Sequence, residues 1–396
     1  MRIGMILDKA FPPDPRVENE AVSLVDAGHE VHLFCLNYNR KSSFEIINGI
    51  HVHRYSANKL LYKLSALAYS IPIYTAVMRS KISDFINKQS IEVLHIHDIR
   101  IAEAVYKANS KTQLPVVLDL HDNMPEIMKF YPHVQKFPGK QLINPLIWKK
   151  KEEQFIKDAT KVVTVSQEFV DEVVNRTKVA PEKVILAPNT VHKTFYENAK
   201  LDETILSKYS KHFVILYLGD TGLRRGLETA IRSLQILKSK IDNVKLVIVG
   251  SNTTDIVLKK LVADLDVEDL VEFEGWKNVS LFPSFILSSD VCISPLHRNI
   301  QHDVAYANKL FQYMSMGKPL LVSDATAQKN LIQKTETGLV HKSENATDFA
   351  NKVLALFNDK KLSDLFGENG KRFISEEFCW EITSKNLVAL YSKLEQ

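Results

Sequence analysis

The chain has 396 residues, 45% of them hydrophobic and 25% charged, which is ordinary globular composition with room for two or three domains. A net charge of +4 excludes a strongly basic nucleic-acid binder. Three scattered cysteines, Cys35, Cys292 and Cys379, form neither a disulfide framework nor a metal-ligand spacing, which fits a reducing cytoplasm.

The small positive excess lies in the N-terminal half. Residues 1–198 hold 26 Lys+Arg against 22 Asp+Glu, whereas the remainder balances 25 against 25. An anionic surface or ligand is expected on that half. The opening apolar run stops at Asp8, which is short for a signal peptide. No run reaches the ~18 apolar residues of a membrane span, and the best candidate, LLYKLSALAYSIPIYTAVM, is broken by Lys63 and Pro72.

In chain order, RIGMIL reads as a strand, FPPDPRVENEAVSLVDAGHE as a loop and helix, and VHLFCL as the next strand. Asp14 followed by Pro15 makes a helix start, Val17, Ala21, Leu24 and Val25 keep helical spacing, and Gly28 ends the helix. A strand, helix and strand of this length form a parallel right-handed unit. IEVLHIHD, LPVVLDLHD, TKVVTVS and EKVILAPN continue as strands. A second series follows in FVILYLGD, KLVIVGS, LVEFEGW, DVCISPL and KPLLVSD, with helical stretches such as GLETAIRSLQILKSK between them. Each strand ends in polar residues, where an open parallel sheet presents its ligand crevice. The expected fold is therefore α/β, with two Rossmann-like doubly wound parallel-sheet domains joined near APNTVHKT. CWEITSKNLVALYSKL reads as one final amphipathic helix.

Four stretches, spread over nearly the whole chain, together resemble the retaining GT-B glycosyltransferases of family 4. They are FPPDPRVENEAVSLVDAGHEV, the pair LHIHD and LDLHDNMPE, YLGDTGLRRGLETAI and ANKLFQYMSMGKPLLVSD. The resemblance implies an acceptor-side domain over residues 1–190 and a nucleotide-sugar domain over 191–378, facing each other across a cleft. The helix 379–396 would cross back to the first domain. The implied activity is transfer of a sugar from a nucleotide diphosphate sugar, UDP favoured, to a glycan or lipid-linked acceptor in surface polysaccharide biosynthesis. No metal or other cofactor is implied, because a helix N-terminus and arginines answer the diphosphate charge. A GT-B-type UDP-N-acetylglucosamine 2-epimerase and a non-catalytic GT-B scaffold are the alternative readings.

The site residues follow from the matched motifs. His121, after the strand LPVVLDL, resembles the family's active-site histidine, with Asp122 and Glu126 beside it and Arg16 on the same crevice as acceptor-side or phosphate-side groups. In GDTGLRRG, Gly219, Gly222 and Gly226 permit close backbone approach to a ligand, and Arg225 matches the basic residue that meets donor phosphate, with Arg224 beside it. His297 and Arg298 follow DVCISPL on the donor side. A helix opening near Ala307 presents Asn308, Lys309, Leu310 and Gln312 to the donor, while Leu310, Phe311 and Met314 keep core spacing. Where the family usually carries Glu, this chain has Gln312 and Val304, with Asp303 adjacent to the latter.

His95 and His97 alternate along their strand with one expected to face the interior, so no joint metal site is expected. Lys59, Lys63, Arg79, Lys81 and Lys88 accompany an apolar stretch, and Lys149, Lys150 and Lys151 follow Ile147 and Trp148. Both could rest on an anionic membrane, which gives a cytoplasmic protein with peripheral contact on the inner membrane face.

Overall fold

The computed structural model describes residues 1–38 and 41–395, apart from the Pro132 side chain. It divides into two compact units, one comprising Met1–Pro188 with Ser384–Gln396, the other Asn189–Thr383.

The first unit carries an eight-stranded sheet. In chain order its strands are β1 (Arg2–Ile6), β2 (Glu30–Asn37), β3 (Phe44–Ile47), β4 (Ile50–Ser56), β5 (Val93–His97), β6 (Val116–Leu120), β7 (Lys161–Thr164) and β8 (Val184–Leu186). The spatial order is β3-β4-β2-β1-β5-β6-β7-β8. All neighbours are parallel except the β3–β4 edge pair. Strand order reverses between β1 and β5, so the crevice of this unit opens where the loop after β1 and the residues after β5 meet. Met5, Leu33, Val93 and Val117 are fully buried in its core, together with Val17, Ala21 and Leu24 of the helix Pro15–Asp26. That helix starts as its sequence dictates. The Asp14 carboxylate accepts the Val17 N–H at 3.3 Å, and Pro15 occupies the first turn, where no N–H is needed.

The second unit carries β9 (Phe213–Leu218), β10 (Val244–Val249), β11 (Val271–Gly275), β12 (Val291–Ser294), β13 (Leu320–Ser323) and β14 (Gly338–His341) in the order β11-β10-β9-β12-β13-β14, all parallel. Its reversal falls between β9 and β12.

Three expectations are corrected. The first sheet is not purely parallel, because β3 and β4 form a hairpin at its edge. The signal was in the sequence. Asn48-Gly49 sits between Ile47 and Ile50 with φ of 50° and 81°, and two left-handed residues make the tight turn that a twisted hairpin needs. The final segment is not one helix. Trp380–Thr383 and Lys385–Leu394 are separate, and the unit boundary falls between them, at Ser384 rather than at 379. The earlier boundary lies at 188/189 rather than 190/191. Leu387, Leu390 and Tyr391 of the last helix are buried in the first unit's core.

Candidate active-site residues of the two units

In the first unit the crevice edge is organised by one carboxylate. Asp119, the fourth residue of β6, is fully buried. Its Oδ1 accepts from Arg16 Nη2 at 2.6 Å and its Oδ2 from Arg16 Nε at 3.0 Å. The same Oδ2 lies 2.6 Å from His121 Nε2 and 3.3 Å from His97 Nδ1. Arg16 also reaches Glu20 at 2.8 Å and donates to the Ala187 carbonyl at 3.0 Å. Burial opposes the Asp119 charge, but Arg16 and His121 hold its carboxyl well below the usual range. Glu20 meets Arg16 at 2.8 Å and His95 at 3.4 Å, but burial pushes its carboxyl up.

His121 is held as a cation. Burial works against its charge, yet Asp119 and then Asp98, whose Oδ2 lies 3.7 Å from Nδ1, raise it to about 9. Asp98 takes a φ of 65° and ψ of 162°, a strained backbone for a residue with a side chain. That strain aims its carboxylate at both the backbone N–H (3.3 Å) and the ring of His121. The arrangement gives a fixed imidazolium at the C-terminal edge of β6, suited to meeting a hydroxyl or an anionic oxygen.

Several expectations change here. Arg16 is not an open ligand group, since it is 4% exposed and its donors are spent on Asp119, Glu20 and Ala187. Glu126 pairs with Lys129 at 2.5 Å and Lys149 at 3.7 Å and is buried. Asp122 stays in the turn after His121, half-buried, its carbonyl accepting the Met124 N–H at 2.8 Å. His95 and His97 do not point apart. Residues two apart on a strand share a face, and their rings stack 4.5 Å apart. With Glu20 and Asp119 they form a group whose ligand atoms lie within 4.8 Å of one another. Arg16 already bridges both carboxylates of that group and supplies the positive charge that an ion would bring. His95 Nδ1 is 2.7 Å from the Tyr391 hydroxyl, a partner 296 residues away.

In the second unit the turn after β9 and the residues after β12 meet at the strand-order reversal. Gly219 and Gly226 have φ of 113° and 75°. A Cβ on Gly226 would lie 1.9 Å from the Pro295 carbonyl oxygen, so packing of this turn against the β12 loop, rather than ligand approach, demands that glycine. Gly222 has an ordinary φ of −54°. Arg225 Nε donates to Asp220 at 3.2 Å, and Asp220 also accepts from Asn252 Nδ2 at 2.5 Å. The Arg224 carbonyl accepts the His297 N–H at 3.1 Å, which ties the two loops together, and His297 lies 3.9 Å from Glu228. Lys309 Nζ sits 3.4 Å over the Tyr217 ring and 4.0 Å from the position of a Gly219 Cβ. Burial and then Arg225 pull its ammonium well below the ordinary lysine range.

The helix expected from Ala307 runs Lys309–Ser315, only seven residues, and Asn308 is exposed at its start without a side-chain cap. Leu310, Phe311 and Met314 are fully buried, so Leu310 serves the core rather than the donor. The half-buried Gln312 amide has no hydrogen-bond partner among the described residues. Tyr313, which periodicity alone does not mark, accepts the Leu218 N–H at 2.8 Å and fixes this helix to the end of β9. Asp303 cannot stand in for the missing acid at Val304. It accepts the Thr326 N–H at 2.8 Å and pairs with Arg298, itself half exposed, at 3.1 Å.

Models of two families match the chain one after the other: "Glycosyltransferase Family 4" over residues 16–195 and "Glycosyl transferases group 1" over residues 199–373. The chain belongs to the group 1 and family 4 glycosyltransferases. The transferase is 24% identical, over 59% of its length, to the capsular polysaccharide biosynthesis glycosyltransferase CapM of Staphylococcus aureus, and the match spans 62% of that relative. It is 21% identical to the N-acetyl-alpha-D-glucosaminyl L-malate synthase of Bacillus anthracis over 94% of this chain and 90% of the other. Among solved structures, the transferase superposes on sucrose-phosphate synthase from Thermosynechococcus elongatus with a TM-score of 0.80 at 17% identity, covering 99% and 98% of the two chains. On Anabaena HepE in complex with UDP the TM-score is 0.71 at 14% identity, covering 99% and 100%. The fold is GT-B, with the C-terminal helix in the first unit.

Proposed function

We propose that this transferase moves a sugar, with retention of configuration, from a nucleotide diphosphate sugar, UDP foremost, to a glycan or lipid-linked acceptor in surface polysaccharide assembly. The observation that carries the reading is the basic turn at the β9/β12 reversal. Arg225 and Lys309 meet there, with Arg224 next in the same turn and Asp220 the acid bonded to Arg225. A diphosphate arriving at this turn would meet Lys309 and take up Arg225, so the positive groups answer the leaving-group charge with no cofactor called for. Gln312, with its unpartnered amide, is the group offered to the ribose. In the first unit the His121 imidazolium is the group offered to a substrate hydroxyl or anionic oxygen. CapM, a relative named for capsular polysaccharide biosynthesis, and HepE, solved with UDP, support the pathway and the base.

Thermal unfolding with UDP and GDP tests this. One diphosphate should raise the midpoint, and Arg225→Ala should weaken that binding by about tenfold or more, the value of one charged hydrogen bond. If neither diphosphate stabilises the protein, the reading fails. Stabilisation without turnover on any nucleotide sugar would favour the non-catalytic scaffold.

The lipid-linked acceptor rests on a separate surface of the first unit. A cavity of about 820 Å³ is walled by Tyr62, Met124, Met128, Phe137 and Trp148, with Lys63 at its side. Leu60, Tyr62, Ile73, Phe137, Leu146 and Ile147 are exposed nearby in sequence, beside Lys59, Lys63 and Lys150. Trp148 itself is buried against Tyr69 rather than lying on the surface, and Lys151 and Lys149 are paired with Glu103 and Glu126. No helix among the described residues is long and apolar enough to cross a membrane. Peripheral contact with anionic lipid on the cytoplasmic face therefore depends on the apolar groups and the remaining lysines.

A further inference from the structure

At the N-terminal ends of β2 and β4, away from His121 and Asp98, three histidines and a glutamate share one face of the first sheet. Register sets them together: His32 on β2 pairs with His51 on β4, and His53, two residues on, falls on the same face as His51. The His32 and His51 rings lie 4.8 Å apart, and those of His32 and His53 5.3 Å. His32 Nε2 is 2.9 Å from Glu30 Oε1, and His32 Nδ1 is 3.1 Å from His53 Nε2. Ligand atoms of Glu30, His32 and His51 all lie within 4.8 Å of one another.

We propose that Glu30, His32 and His51 bind a first-row divalent ion, zinc foremost, with His53 orienting the His32 ring. Two imidazoles and a carboxylate are a zinc-type donor set that leaves a fourth position to water. A tetrahedral site needs donors about 3.3 Å apart, which Glu30 and His32 already approach and which a rotation of the half-buried His51 ring would complete. His32 Nδ1–H then donates to His53 Nε2, the outer bond that fixes a ligating ring. The ion takes the place of the proton between His32 Nε2 and Glu30, which leaves to water while Nδ1 takes up a proton from water, so the ring binds as its neutral Nδ1–H tautomer. Arg2 holds the other Glu30 oxygen at 3.0 Å, but that pair is about half exposed on both sides and weakly held. This separates the cluster from the Glu20, His95, His97 and Asp119 group, whose interior charge is already met by buried Arg16. The site is remote from sugar transfer; it would clip the β3–β4 hairpin to β2.

The test adds ZnCl2, and separately CoCl2, to the metal-free full chain. Zinc at about one hundred times its Kd should raise the Tm by about 5 °C. Cobalt should give the visible absorption of a four-coordinate site. His51→Gln, at a half-buried position, and Glu30→Gln, at an exposed one, should each weaken binding by about tenfold or more while far-UV circular dichroism stays unchanged. Absence of both the Tm rise and the cobalt band in the wild type overturns the proposal. So does a shift that survives undiminished in His51→Gln.

Discussion

Replacing Asp119 by Asn keeps the side chain's shape and removes the charge around which the first unit's crevice is built. In the wild type, His121 Nε2 lies 2.6 Å from Asp119 Oδ2 and the ring is raised to about 9. Against an ordinary histidine near 6.5 that is ~2.5 pH units, or about 3 kcal/mol at ~1.4 kcal/mol per unit. Because the folded value is raised, this stabilisation is fully present below pH ~6.5 and is lost as pH rises through about 9. In Asp119→Asn the ring keeps only Asp98, at 3.7 Å, so its titration should fall by at least about one unit and the loss of stability between pH ~6.5 and 9 should flatten. Arg16 retains Glu20 at 2.8 Å and the Ala187 carbonyl at 3.0 Å. The overall cost at pH 7 should therefore lie near the lower end of the ~3–5 kcal/mol for breaking a buried pair. The assay is a carbon–proton NMR titration of the histidine rings, with His121→Gln to assign the signal. A wild-type His121 that titrates at or below about 7, or one that Asp119→Asn leaves unmoved, would refute the reasoning.

Gly226→Ala should destabilise the second unit by about 1–3 kcal/mol or more, through a left-handed φ and a Cβ 1.9 Å from the Pro295 oxygen; a urea midpoint equal to wild type would contradict it. Lys318 donates to the carbonyls of Leu287 and Ser289 at 2.9 and 2.6 Å, so Lys318→Met, which strands both, should cost about 1–3 kcal/mol in the same measurement. Gln312→Glu should preserve or tighten diphosphate-nucleoside binding by restoring a charged acceptor for the ribose, read by calorimetry; a loss of about tenfold or more would mean that the amide donates a bond a carboxylate cannot. Sedimentation with anionic vesicles should carry the protein down at low salt, and Lys63→Glu should reduce the bound fraction; no binding to vesicles would remove the membrane reading.

Most strands were legible because buried parallel strands are short apolar runs ending in polar residues, and VHLFCL, LPVVLDL and FVILYL stand where the sequence puts them. The glycine turn was legible as a motif, yet its logic was not. The sequence cannot tell that Gly226 is held by a carbonyl 69 residues away. The same limit hid Asp119. Nothing local distinguishes it from the neighbouring acids, and its role comes from Arg16 and His121 brought together by the fold. Arg16 was misjudged for that reason, since a first-turn arginine looks like a surface group until β6 supplies a buried partner. His95 and His97 were misjudged through a local rule, the period of two, and β3–β4 through an Asn-Gly turn that was in plain view. The resemblance of the whole to family 4 rested on motif order, which survives such local errors.

The Tyr391 hydroxyl against His95, and Leu387 and Leu390 beneath it, make the last helix part of the first unit's interior. During synthesis the early strands must therefore wait, with the second unit already emerging, until Leu387, Leu390 and Tyr391 leave the ribosome and cover them. A stalled or clipped product lacking those residues would expose that hydrophobic surface and leave His95 without its hydroxyl partner, holding only Glu20 at 3.4 Å and the His97 ring.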